Sequence, residues 1–140
     1  LLSNAQAWTK LKQGFARGRR DFNNRSLRKA NKIMHIYWGG VAYFFLADLR
    51  LREKGLSLDI VLQKFNQCCL PGFSLWTAEM LAKKLDHISG SRIFTSLLRN
   101  EAQSKQFPIQ PSFENSSNPL LQKHLKSILT GNAKNLPKLN

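Results

Sequence analysis

Residues 35–52, HIYWGGVAYFFLADLRLR, form the stretch that decides the fold. Between Ile36 and Ala47 nearly every residue is apolar, so a helix here would have no polar stripe to face water. A helix that is apolar on all sides belongs in the interior of a protein. The sequence therefore predicts a buried central helix over residues 32–54.

This apolar run is too short to cross a membrane. A transmembrane helix needs about 20 consecutive apolar residues, and charges return at once with Arg50, Arg52, Glu53 and Lys54. These features favour a core helix, and we expect no transmembrane segment in this chain.

On both sides of this stretch, apolar residues recur every three or four positions, which is typical of amphipathic helices. The predicted fold class is all-α, with about five helices packed around the central one. The predicted flanking helices span residues 3–15, 57–70, 75–88, 91–104 and 118–131.

Capping residues set the predicted helix boundaries. Ser3 or Asn4 caps the first helix, and Gly14 with Gly18 weakens its end. Gly55 ends the central helix, since a left-handed residue usually follows a helix. The predicted connections are a basic loop at 18–31, an extended segment at 107–111 and a polar loop at 112–118.

A chain of 140 residues is long enough to bury the core of one domain. We expect a single helical domain over residues 1–131, followed by a frayed tail at 132–140 that lacks any hydrophobic period. The chain opens with leucine and has no signal-peptide pattern, so we expect it to be a piece of a longer protein.

The chain is strongly basic, with 22 Lys and Arg against 8 Asp and Glu and a net charge of +14. Nine of the cations lie between Lys10 and Lys32, where Asp21 is the one anion. Such a segment would attract nucleic acid or another anionic partner, with Phe15 and Phe22 stacking on bases. The alternative is a solvated basic loop.

Cysteine and histidine usage gives no metal site within the chain. Cys68 and Cys69 are neighbours, which rarely bridge, so we expect small residues at a helix end, with a redox or intermolecular role as the alternative. His35, His87 and His124 are far apart, and no H-E-x-x-H array is present.

Tyr37 is the residue best suited to chemistry. A phenol presents one O–H donor at the end of a rigid ring, which suits it to stabilise the oxyanion of a tetrahedral intermediate. The alternative is that Tyr37 packs in the core with its hydroxyl bonded to a backbone carbonyl. Trp38, Tyr43 and Phe44 are interpreted as packing residues.

Several phrases in order resemble the carboxy-terminal helical part of the glycyl aminopeptidase family, which are zinc metallopeptidases of the gluzincin type. In that family a Tyr-x-Lys-Gly-Ala phrase opens a long apolar helix, Leu-Asp-x-x-x-Arg closes it, and Ser-Leu-Asp begins the next helix. The resemblance spans about residues 33–107. Its phrases here are YWGGVA at 37–42, ADLRLR at 47–52, GLSLDIVL at 55–62, WTAE at 76–79 and SGSRIF at 89–94.

The resemblance implies a role for Tyr37 as the donor to the oxyanion of the scissile carbonyl, in a hydrolase that binds zinc in its full-length form. The zinc ligands of the family lie upstream of the matched segment, so they would belong to an upstream catalytic domain of the same polypeptide. This chain alone would be inactive and would form one wall of the peptide-substrate cleft. The family's lysine is Gly39 here, as in a degenerate, peptidase-like member.

Two other interpretations stay open. One is a basic helical module that binds nucleic acid or another anionic partner through residues 10–32, without catalysis. The other is a helical interaction domain with no chemistry, whose basic face docks on an acidic neighbour in the same polypeptide.

Overall fold

The structure is a computed structural model that describes residues 2–22, 31–69 and 75–129. These residues contain helices and no strands, which confirms the all-α fold class. Among them are seven helices, one more than the predicted six. They are α1 (Asn4–Asp21), α2 (Ile33–Glu53), α3 (Leu58–Cys69), α4 (Ala78–Ser89), α5 (Ile93–Gln103), α6 (Pro111–Glu114) and α7 (Pro119–Leu129).

Helix α2 contributes to two hydrophobic clusters on different sides of the molecule and contacts α1, α3, α5 and α7. The first cluster lies against α3, α4 and α5, and its most buried members include Ala47, Leu51, Val61, Leu85 and Phe94. The second lies against α1 and α7, and it includes Phe15, Ala42, Phe107, Ile109 and Leu125.

The prediction that α2 is apolar and buried on every side is wrong at its first turns. Ile33 is 75% exposed, and Ile36 and Tyr37 are also exposed. The second half of the helix agrees with the prediction, since Ala47, Leu49 and Leu51 are buried. Apolar composition alone could not show whether the first turns of the helix pack against other residues or are exposed to solvent.

Helix α1 is longer than predicted, because it continues past Phe15 to Asp21. Ser3 caps it as predicted, and its hydroxyl accepts a hydrogen bond from the Gln6 backbone N–H at 3.2 Å. The expected weakening at Gly14 and Gly18 does not end the helix. Both glycines are buried. Gly14 lies against the Trp38 ring and Gly18 against the Phe107 ring, so their lack of a side chain permits these contacts.

The turn between α2 and α3 follows the prediction. Gly55 has a φ of 74°, and the Ser57 hydroxyl accepts a hydrogen bond from the Ile60 N–H at 3.4 Å. The sequence did not reveal a second cap, in which the Asp48 carboxylate accepts from the Leu58 N–H at 2.8 Å.

The α4–α5 hairpin turns at Gly90, which has a φ of 63°. The amphipathic pattern of α4 predicts that Asp86 points to solvent, and this is wrong. Its carboxylate turns toward the start of α5 and accepts hydrogen bonds from the Phe94 N–H at 2.8 Å and from the Thr95 N–H and hydroxyl. Two of the free N–H groups at the α5 terminus are thereby satisfied.

The extended segment before α6 is anchored in the core, since Phe107 and Ile109 are buried. The predicted polar loop at 112–118 is wrong in its first part, because Pro111 begins the short helix α6. Arg19 holds this region against α1, donating to the Ile109 carbonyl and to Glu114, each at 2.9 Å.

Cys68 and Cys69 form a disulfide at the end of α3, which corrects the expectation that neighbouring cysteines stay unbridged. The predicted helix ends at residues 70–72 and 131, most of the basic loop at 18–31, and the tail at 132–140 lie outside the described residues. No helix in the described part of the chain is both long and apolar enough to span a bilayer.

Candidate functional site

Tyr37 lies near the amino-terminal end of α2 and is 59% exposed. Its ring packs edge-on against the Trp38 ring, with centroids 5.1 Å apart and planes at 82°. Within the described residues the phenol has no hydrogen-bond partner. Tyr37 is therefore not a core tyrosine, and its side chain is accessible to a group outside this part of the molecule.

Tyr43 has the arrangement that the sequence offered as the alternative for Tyr37. Its hydroxyl donates a hydrogen bond to the Phe94 carbonyl at 2.7 Å and joins α2 to α5. Burial raises the pKa of the Tyr43 phenol well above its ordinary value, and the negative charge of Asp86 raises it further. Tyr43 is thus a structural tyrosine that stays protonated.

Three exposed residues and the half-buried Gly40 lie on one side of α2 near its start. Ile33, Ile36, Tyr37 and Gly40 recur at steps of three or four residues, which places them on neighbouring rows of one surface. We call these four residues the open face. Further along the same side, Phe44 packs against the first hydrophobic cluster. The open face therefore continues a surface of α2 that is covered nearer the core.

An apolar cavity of about 180 Å³ begins at Gly40, between α2, α4 and α5. A wider groove of about 390 Å³ between α4 and α5 shares Ala78, Leu98 and Glu101 with it. The cavity was not predicted from the sequence, although the step from Tyr37 to Gly40 places a residue without a side chain on the same surface. The other residues that line the smaller cavity include Tyr43, Phe44, Leu81, Ala82 and Leu85.

The described part of the basic segment is only partly free for a ligand. Arg19 is engaged with Glu114, and the Lys12 ammonium lies 5.8 Å from the centroid of the Trp8 ring. Lys10 and Arg17 are exposed on α1, and so is Arg20, which pairs with Asp21 at 3.4 Å. Phe15 is fully buried in the second cluster, so the expectation that it stacks on bases is wrong.

His35 is fully buried, and among the described residues neither of its ring nitrogens has a hydrogen-bond partner. The Phe22 ring lies 4.8 Å from the imidazole centroid, and the Phe107 ring lies 6.4 Å away. Burial lowers the pKa of His35, because the charged form would lose its hydration. This histidine is a core residue.

Over the described ranges, the His, Cys, Asp and Glu side chains form no group of three that could hold a metal ion. The donor set of this part of the chain therefore does not fit a resident zinc. Any zinc associated with Tyr37 would need ligands from elsewhere in the protein.

No protein-family profile, curated protein or solved structure gives a significant match to this chain.

Proposed function

We propose that this chain is the helical wall of a peptide cleft in a zinc-dependent aminopeptidase of the gluzincin type. The upstream domain of the same polypeptide supplies the metal ligands and the general base, and Tyr37 supplies a hydrogen bond to the oxyanion. The observation that carries this proposal is the exposure of Tyr37 on the open face, without an internal partner. The sequence resemblance at residues 37–42 supplies its chemistry.

The position of Tyr37 suits a preorganised donor. The Trp38 ring packs against it, and Trp38 is itself held against Gly14 of α1. A donor fixed in advance stabilises a developing oxyanion without reorganising during the reaction. Zinc held by the upstream domain would activate the attacking water.

The open face is suited to contact with a further domain of the same protein. Ile33 and Ile36 expose apolar surface beside Tyr37, and an apolar patch of this kind is typical of an interaction site. An upstream domain that covered these isoleucines would bring its metal site toward the phenol.

The decisive experiment is Tyr37→Phe in the full-length protein. We expect kcat for amino-terminal peptide hydrolysis to fall about 10²-fold or more. Zinc content and the thermal unfolding midpoint should stay unchanged, because the lost hydroxyl has no partner in the described structure. Equal turnover by the wild type and Tyr37→Phe would contradict a catalytic role for Tyr37.

The second candidate is a basic module that binds nucleic acid, and the exposure of Lys10, Arg17 and Arg20 on α1 favours it. A phosphate binder should hold mixed-sequence DNA or RNA with an affinity that falls steeply as salt rises. Lys10→Gln with Arg17→Gln should reduce the slope of that dependence. If no complex forms at low salt, this candidate is excluded, and a docking domain without chemistry becomes the rival to the peptidase.

A further inference from the structure

We infer that the apolar cavity beside Gly40 is a specificity pocket, which takes a leucine-sized side chain of the peptide next to the bond at Tyr37. This inference rests on the proposed function, because the position of the scissile bond comes from Tyr37. The cavity and its mainly apolar lining are features of the structure itself.

The helix geometry places Gly40, which lines the cavity, about one turn from Tyr37 along α2. Gly40 follows Tyr37 by three residues on neighbouring rows of α2, at a rise of about 4.5 Å along the axis. Phe44, one turn further on, lines the same cavity. A peptide lying along the open face with its carbonyl at Tyr37 would therefore have a neighbouring side chain at the cavity mouth.

The lining of the cavity selects for an apolar group. Phe44, Leu81, Leu85 and Leu98 supply hydrocarbon surface. Apolar cavities take up apolar molecules, and an enclosed one of about 150 Å³ holds a benzene-sized guest. At about 180 Å³, this cavity matches a leucine or phenylalanine side chain.

Gly40 lines the cavity and has open space beside it. A Cβ placed on Gly40 would meet no atom within 4 Å. Close approach of another helix therefore does not require glycine at this position, and helix propensity disfavours it. A larger side chain here would project into the space that the inference assigns to the substrate.

The test uses binding of two neutral probes, N-acetyl-leucinamide and N-acetyl-glycinamide, to the full-length protein with methyl-labelled leucines. We expect the leucine probe to shift the methyl resonances of Leu81 and Leu98, with an affinity about tenfold or more above the glycine probe. Gly40→Leu should reduce the affinity for the leucine probe about tenfold. Gly40→Ala is the matched control and should retain most of the affinity.

A second variant works in the opposite direction. Leu98→Ala should enlarge the pocket and shift the preference from the leucine probe toward N-acetyl-tryptophanamide. Equal affinity for the leucine and glycine probes, or shifts confined to other methyl groups, would overturn the inference.

The two proposals can fail separately. Selective leucine binding with unchanged turnover in Tyr37→Phe would keep the pocket and reject the peptidase role. The expected loss of turnover without selective binding would keep the peptidase role and reject the pocket.

Discussion

The carboxylate of Asp48 in α2 accepts a hydrogen bond from the backbone N–H of Leu58, the first residue of α3, at 2.8 Å. The same carboxylate pairs with Arg52 at 3.2 Å, and both side chains are largely buried. Arg52 in turn donates to the Ser127 hydroxyl of α7 at 2.7 Å. A single carboxylate therefore connects the end of α2 to α3 and, through Arg52, to α7.

Asp48→Ala should destabilise the protein by about 3 kcal/mol. The change removes a charged cap and leaves the Arg52 guanidinium buried without its carboxylate. Urea unfolding followed by circular dichroism measures the effect. The control is Asp59→Ala, which removes an exposed carboxylate from the first turn of α3 and should cost less than about 1 kcal/mol. Similar losses for the two variants would contradict the assigned role of Asp48.

Tyr43→Phe should lower the free energy of unfolding by about 1 kcal/mol near neutral pH, because the Phe94 carbonyl loses its donor. Burial raises the pKa of the folded-state phenol above the unfolded value of 10.0. Above pH 10 the unfolded chain loses this proton while the folded protein keeps it, so stability falls as pH rises.

The measurement compares unfolding of the wild type and Tyr43→Phe at neutral pH and above pH 10. Other groups also titrate in this range, so the informative quantity is the difference between the two proteins. The stability advantage of the wild type should shrink as pH rises. An advantage that grows with pH would contradict the burial of the phenol.

Local rules were enough to predict most helix boundaries. Gly55 and Ser57 separate α2 from α3 as their types require, and Pro119 begins α7. The error at the end of α1 arises because the deciding contacts come from residues distant in sequence. The low helix propensity of glycine placed the predicted end of α1 too early, because nothing in the sequence shows that Trp38 lies against Gly14.

The candidate site was predictable only in part. The sequence indicated Tyr37 as a phenol at the start of an apolar helix, but it left open whether the Tyr37 hydroxyl forms a hydrogen bond inside the bundle. The structure gives the internal hydrogen bond to Tyr43. The cavity at Gly40 could not be predicted, since its walls come from α4 and α5 and depend on how those helices diverge.

The two glycines Gly14 and Gly40 should respond oppositely to alanine. A Cβ on Gly14 would overlap the Trp38 ring, whereas one on Gly40 would meet nothing within 4 Å. We expect Gly14→Ala to cost about 2 kcal/mol or more through overpacking. Gly40→Ala should gain up to about 1 kcal/mol from helix propensity. Thermal unfolding of the two variants measures both effects, and a tolerated alanine at position 14 would contradict the close contact of α1 with Trp38.

His35 should make the protein sensitive to acid. Burial lowers its folded-state pKa below the ordinary value of 6.5. Below pH 6.5 the unfolded chain therefore binds a proton that the folded protein does not bind. Stability is therefore retained above pH 6.5 and falls as pH drops toward the folded-state pKa.

His35→Leu removes the titrating ring and two unpartnered nitrogens, so it should lose less stability than the wild type between about pH 7.5 and pH 5. Urea unfolding at these two pH values measures the difference, and His87→Gln, at an exposed histidine, should retain the wild-type sensitivity. If His35→Leu were as sensitive to acid as the wild type, the buried imidazole would not be the source of the effect.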